Sequence, residues 1–304
     1  MRGLTGAPPL DFDYYALAFA WQPEWAATAC PGGRNVNPVL VNAMNRNEHA
    51  QRNLSLHGLW PDYGPARRAA GIGWPQFCNT CSSSTCTICE RTESCNFASC
   101  AANVTKAKCG IPASVVSEFN TTSKWQRYAP SYAWGTLARH EWAKHGTCSN
   151  WYMDARRYFA AAEAAAQRFL AGRGAALVRQ SVGTTVSSEA LRAAFAADVR
   201  AAPALVCTSA CALSEVWIGL PKNESDEWST VSNLPWHRVC VDMSEADRCS
   251  DCSHIAIKAW AACGDLPTPV VSPVHNMPLI LIGILAVVAS WALVLWTAMT
   301  SRRT

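Results

Sequence analysis

The chain has 304 residues, of which 50% are hydrophobic and 16% charged. That balance excludes a disordered chain and allows a sizeable core, in one large domain or two ordinary ones. The net charge of +4 is too mild for a protein that coats nucleic acid, so any phosphate it handles must meet a few placed cations.

Met1–Leu10 holds one arginine and no apolar run fit for a signal peptide; a leader is expected to be missing from this start. Residues 11–62 read as short strand-like runs, Tyr14–Ala20 and Asn53–His57, broken by a Pro/Gly/Asn-rich loop at Pro31–Pro38. Residues 78–109 are dense in cysteine, serine and threonine. Residues 151–171 and 187–200 are Ala-rich with apolar spacing suited to helices, the second capped by Ser187 or Ser188. Leu205–Cys207 and Val216–Leu220 read as late strands. Helices and strands mix without a regular βαβ alternation, so the fold class is α+β.

Residues 264–277, with Pro267, Pro269 and Pro273, suit a stalk. Leu279–Met299 is uncharged, and a helix of that length rises roughly 30 Å, the thickness of a bilayer core. Trp291 and Trp296 stand toward its C-terminal end, and Arg302 and Arg303 follow it, which puts that end in the cytosol. The expected organisation is a catalytic domain over 1–263 with a Cys-rich insertion at 78–109, a Pro-rich stalk at 264–277, a transmembrane helix at 278–299 and a short basic tail at 300–304.

Fifteen cysteines exclude an ordinary reduced cytosolic protein unless most of them bind metal. A tail-anchored chain with its body in the cytosol would bring them into a reducing compartment; a lumenal or extracellular body, in the secretory or endolysosomal pathway, agrees with them. The sequons at Asn53, Asn103, Asn120 and Asn223 are then candidates for glycosylation. A glycolipid anchor fits less well, because such tails end apolar rather than on Arg-Arg.

Two segments carry chemistry: Leu56-His57-Gly58-Leu59-Trp60-Pro61, and Arg139-His140-Glu141-Trp142-Ala143-Lys144-His145-Gly146-Thr147-Cys148. If the second is a helix ended by Gly146, Glu141 and His145 are i,i+4 neighbours, and so are His140 and Lys144 about a quarter-turn away. One short helix then offers a carboxylate, two imidazoles and an ammonium to nearly the same volume. The plainer alternative is a solvated face with an ion pair, and His57 reads equally as a functional imidazole and as a satisfied core one. Zinc suits the cluster poorly. His140 and His145 are five residues apart and point roughly 140° away from each other on a regular helix, so they cannot chelate one ion. Acid–base work without a cofactor fits better, since imidazoles titrate near neutrality and a neighbouring carboxylate can orient and charge one of them.

These two blocks, in this order, resemble the two active-site segments of the ribonuclease T2 family. Leu17-Ala18-Phe19-Ala20-Trp21 with Pro23 and Cys30, Trp74-Pro75-Gln76-Phe77-Cys78, and Leu213-Ser214-Glu215-Val216-Trp217-Ile218 resemble its first strand, its Tyr-Pro-x-x-Cys segment and its late strand. The likeness spans about residues 12–242. It implies a metal-free endoribonuclease acting on single-stranded RNA, with His145 as the base that takes the 2′-OH proton and His57 as the acid that protonates the departing 5′-oxygen. Glu141, Lys144 and His140 would support the phosphorane. The product would be a 2′,3′-cyclic phosphate, then a 3′-phosphate, and DNA would be inert for want of the 2′-OH.

The resemblance also places Trp60 and Asp62 at the base site, with Trp74 as a further stacking ring, packing being the alternative for the two tryptophans. It implies a Cys78–Cys148 bridge, and Cys207 with Cys240 is a candidate late bridge. Gly219 stands where the late strand commonly has a cysteine. Cys81, Cys86, Cys89, Cys95, Cys100 and Cys109 remain for the insertion; zinc is the alternative for Cys78-x-x-Cys81 and Cys86-x-x-Cys89, and a lumen favours disulfides. The rival functional reading is a catalytically inactive ribonuclease-like or Cys-rich ectodomain that serves as a binding or receptor module, with an unknown protein partner for the Cys-rich segment.

Overall fold

The structure is a computed structural model that describes residues 3–5, 7–29, 37–78, 111–152, 154–222 and 240–262. Cys81–Cys109, the sequons at Asn103 and Asn223, the stalk and the expected membrane span lie outside the described residues. Among the described residues no helix is long and apolar enough to cross a membrane.

The α+β expectation is met by a four-stranded antiparallel sheet, in the order β3-β2-β7-β6, with helices packed on one face. Its strands are β2 (Tyr14–Ala20), β3 (Ser55–Asp62), β6 (Ala204–Cys207) and β7 (Leu213–Pro221); Leu4–Thr5 (β1) with Pro75–Gln76 (β4), and Thr184–Ser187 (β5) with His254–Ile257 (β8), form two small accessory ribbons. In β2 the side chains alternate by size. Tyr15, Leu17 and Phe19 point into the helix-side core, while Tyr14 and Ala16 face the other side with Ala204 and Met243, against Trp60 and Trp217. The strand is buried on both faces, as an inner strand must be.

The helix Ala155–Leu170 lies within the expected 151–171. It starts late because Asp154 caps it, its carboxylate accepting the Arg157 N–H. Its Ala162, Ala165 and Ala166 are buried, and the absence of bulk there lets Tyr158 and Phe159 pack closely on the sheet. Ser188–Val199 is the second expected helix; Ser187 is its cap and accepts from the Ala190 N–H.

Other elements depart from expectation. The predicted loop at Pro31–Pro38 does not extend through its last residue. Pro38 opens a helix to Asn45 because it sits in the first turn, where no N–H is needed, and Asn37 accepts from the Val39 and Leu40 N–H groups. Three short helices, Ala113–Thr121, Ser123–Tyr128 and Pro130–Ala133, follow the insertion. An aromatic cluster of Phe119, Trp125 and Tyr132 around Phe159 holds them, so aliphatic periodicity gave no sign of them.

Cys78 is bridged to Cys148, Cα–Cα 5.0 Å. The proposed Cys207–Cys240 pair is corrected: Cys207 bonds Cys249, and Cys211 bonds Cys252. The reason lies in register. Cys207 stands opposite Leu213 on β7, whereas Val241 is bridged to Gly219. Those positions are roughly 20 Å apart along a strand, far beyond disulfide reach. Asp247 brings Cys249 to β6 instead, accepting from the Leu205 and Cys249 N–H groups and from Arg192 Nε and Nη2. At Gly219 any Cβ would collide with the Val241 carbonyl, which leaves no space for a cysteine. A non-reducing peptide map is therefore expected to join the Cys207 and Cys249 peptides and the Cys211 and Cys252 peptides; a Cys207–Cys240 fragment would contradict this register.

Candidate active site

The first block is a strand throughout, and one irregularity in it places His57. Ala18 pairs with Gly58 and Phe19 with Leu56, so His57 is the extra residue of a β-bulge. Leu56 and Leu59 are both buried in the helix-side core. Three residues apart, they could not share a face of a regular strand. The bulge resolves this and turns His57 to the opposite face. Its carbonyl, displaced from the ladder, accepts from the Tyr132 hydroxyl at 2.8 Å.

The second block is a helix over Leu137–Lys144, closed by His145 and a 3-10 turn at Gly146–Cys148. Gly146 is at the expected position after the helix, but for a different reason: it has no positive φ, and the Trp142 ring lies where a Cβ would be. The turn is fastened to the loop after β4 by the Phe77 N–H on the Lys144 carbonyl, the Cys78 N–H on Thr147 Oγ1, and the Cys78–Cys148 bridge.

The two blocks meet at Glu141, which is 1% exposed. Its Oε2 accepts from Trp60 Nε1 at 2.6 Å and its Oε1 lies 3.7 Å from His57 Nε2. Gly58 is what admits the carboxylate, since a Cβ there would overlap it. Trp60 stands between the two imidazoles, edge-on to His57 with centroids 5.0 Å apart and stacked on His145 at 5.2 Å. His140 stands 6.5 Å from His145, centroid to centroid. All these groups, with Lys144, Asp62 and Trp74, line a cavity of about 990 Å³.

Of the base-site candidates, Asp62 accepts from the Tyr14 hydroxyl at 2.9 Å and from the Tyr63 N–H at 2.7 Å, and burial pushes its carboxyl up to about 7. Trp74 donates to Gln76. Of the described sequons, Asn120 is exposed on its helix, while Asn53 donates to the His49 carbonyl.

The electrostatics divide the histidines. Burial opposes charge on His57, but the hydrogen bond to Glu215 and the charge of Glu141 outweigh it and raise its pKa. His145 is buried beside Lys144, His140 and His57, and all of these effects hold its pKa well below the usual value. Its Nδ1 is sealed in without a hydrogen-bond partner among the described residues, which leaves Nε2 to meet a substrate.

A family model, "Ribonuclease T2 family", matches residues 12–252. The chain belongs to the ribonuclease T2 family. A ribonuclease of Aeromonas hydrophila is 27% identical over 139 residues, which is 46% of this chain and 39% of that protein; the chain thus spans about two fifths of that relative's length. Among solved structures, the self-incompatibility associated SF11-RNase of Nicotiana alata is 14% identical with a TM-score of 0.46, covering 82% of this chain and 100% of its own. RNase NT in complex with 5′-AMP is 18% identical with a TM-score of 0.42, covering 71% and 89%.

Sequence reasoning missed two residues of this candidate site. Glu215 Oε1 lies 2.8 Å from His57 Nδ1, and Trp217 Nε1 donates to Glu215 Oε2 at 2.6 Å. The available signal was a carboxylate within the apolar run of an inner strand, which requires a partner.

Burial pushes the Glu141 carboxyl up to about 7, against the lowering effects of His57, the Trp60 N–H and Lys144. Such a group binds its proton more tightly folded than unfolded. Its stabilising contribution is full below pH 4.5, the ordinary carboxyl value, and is lost as pH rises toward 7. Asp62 acts with the same sign and His145 with the opposite one. Glu141→Gln is therefore expected to flatten the fall of stability across this window by on the order of 2 kcal/mol, read as a smaller change in Tm between acid and neutral buffer.

Proposed function

We propose that the chain is a metal-independent endoribonuclease that cleaves single-stranded RNA by transesterification through its own 2′-OH. The observation that carries this reading is that His57, from a strand, and His145, from a helix end, open into one cavity on either side of Trp60. Neutral His145 takes the 2′-OH proton, and the 2′-oxygen attacks phosphorus. Protonated His57 gives its Nε2 proton to the 5′-oxygen as that P–O bond breaks, leaving a 2′,3′-cyclic phosphate. Water then opens the ring to a 3′-phosphate with the proton roles reversed. Lys144 and His140 stand where negative charge grows on the phosphorane, a contact worth roughly 3 kcal/mol when preorganised. Glu141, tied to Trp60 and facing His57, orients His57 and supports the phosphorane with them. The base rests on the wall formed by Trp74 and Asp62, with Trp60 lining the same cavity.

The opposed surroundings of the two imidazoles support the assignment of acid and base. They also set the pH dependence. The rate needs His145 deprotonated and His57 protonated, so kcat/KM is expected to be bell-shaped, with its acid limb below and its alkaline limb above the ordinary histidine value of about 6.5.

The proposed location is a membrane, through Leu279–Met299, with the catalytic domain lumenal or extracellular. Three disulfides among the described residues favour an oxidising compartment. Carbonate extraction is expected to leave the full chain in the membrane pellet and to release a chain ended before residue 264.

Purified protein in EDTA is expected to cleave single-stranded RNA to cyclic-phosphate and 3′-phosphate ends and to leave DNA intact. His57→Ala and His145→Ala each are expected to lower the rate by about 10³-fold or more. RNA binding without turnover would point instead to an inactive binding module.

A further inference from the structure

Glu215 is a carboxylate in an inner strand, 19% exposed at its side chain, with both oxygens committed to side chains of the cavity wall. Oε1 faces His57 Nδ1 at 2.8 Å, and Oε2 accepts from Trp217 Nε1 at 2.6 Å. Trp217 is held in turn, edge-on to Trp60 at 5.5 Å. We propose that Glu215 is the positioning residue of the acid: it accepts a hydrogen bond from the Nδ1–H of His57 and so commits Nε2, which faces Glu141 and the cavity, to be the nitrogen that carries the transferable proton. This rests on the ribonuclease reading and adds a residue to it.

The alternative tautomer, with Nδ1 bare, would set a lone pair against a carboxylate. A ring that both loses and regains a proton at Nε2 during turnover must keep Nδ1 protonated throughout. The carboxylate can do this because it stays ionised. Burial raises the Glu215 pKa, but the hydrogen bonds and charge of His57, the Trp217 N–H and Arg248 bring it below the usual value. The charged and titratable groups around His57 come from four other directions: Glu141 and Lys144 on the helix Leu137–Lys144, His145 at its end, Arg248 in the loop beside β6, lining the same cavity, and Tyr132 on the helix Pro130–Ala133, whose hydroxyl donates to the His57 carbonyl. Lys144 opposes a charge on His57 and Glu141 favours it, so Glu215 is the group in direct hydrogen bond with the ring that tips the balance.

The test uses the full chain in two readouts. In Glu215→Gln the alkaline limb of kcat/KM is expected to move about one unit toward acid, with an approximately tenfold loss of kcat above neutrality, little change in KM and an unmoved acid limb. ¹⁵N-histidine NMR reads the ring without any substrate. In the parent chain the His57 Nδ1 proton is expected to stay bonded across the titration, and in Glu215→Gln the ring is expected to titrate lower. Should that variant not fold, Trp217→Phe frees Oε2 and is expected to shift the limb in the same direction by less. An unchanged alkaline limb in a folded Glu215→Gln, or a parent His57 with bare Nδ1 at neutral pH, overturns the proposal. A parent chain that cleaves no RNA overturns the ribonuclease reading instead and leaves the NMR outcome to judge the Glu215–His57 contact.

Discussion

The site depends on a conflict of register within Leu56-His57-Gly58-Leu59. Both leucines are buried in the helix-side core, and full burial of each is worth about 2 kcal/mol. A regular strand would bury one and expose the other. Inserting His57 as a bulge keeps both leucines inside, and its cost, a carbonyl removed from the ladder, is offset by the Tyr132 hydroxyl. Had the strand run regularly from Leu59, His57 would lie in the core and Leu56 in the cavity. The orientation of His57 is thus a consequence of core packing, enforced from the other face of the sheet. Gly58 completes the arrangement, because the same turn of the backbone brings it against the Glu141 carboxylate.

Given that placement, the helix Leu137–Lys144 separates the charges. Glu141 reaches across to His57, while Lys144 and His140 stay around His145. At an effective dielectric near 20, unit charges about 4 Å apart interact by roughly 4 kcal/mol, enough to decide a protonation state. For His57 two carboxylates oppose desolvation and win; for His145 desolvation and neighbouring cations act together. One fold thereby holds two copies of the same side chain in opposite electrostatic surroundings.

The parts legible in the sequence are those with a local cause. The strand Tyr14–Ala20 shows its alternation, the helix from Ser188 shows its cap, and the two histidine blocks keep their chemistry within contiguous residues. The parts that were not legible depend on register between distant segments. Cys207 and Cys249 are brought together by Asp247 and its hydrogen bonds to Arg192 and Leu205, which no spacing rule reveals. Glu215 is linked to His57 across 158 positions of sequence. Its i,i+2 relation to Trp217 places both on one face of β7, but that the face is the cavity face follows only once β7 pairs with β2. The bulge did have a local trace, two core leucines separated by three within a strand, and the trace is readable only when both are known to be inside.

The two faces of β2 explain why stability and chemistry coexist in so small a sheet. On the helix side Tyr15, Leu17 and Phe19 fill the core; on the other Ala16 lies opposite Trp60 and Ala18 opposite Trp217, and both tryptophans line the cavity. The small side chain leaves the floor of the cavity low, so Trp60 and Trp217 meet edge to face over it and their indole N–H groups turn outward to Glu141 and Glu215. Each carboxylate is thus fixed by a tryptophan that the sheet itself positions, and His57 lies between them. A bulkier residue at 16 would lift both rings and misdirect both carboxylates at once, while the helix-side core remained intact. The small residues of the inner strand thus set where the two tryptophans, and with them the two carboxylates, stand around His57.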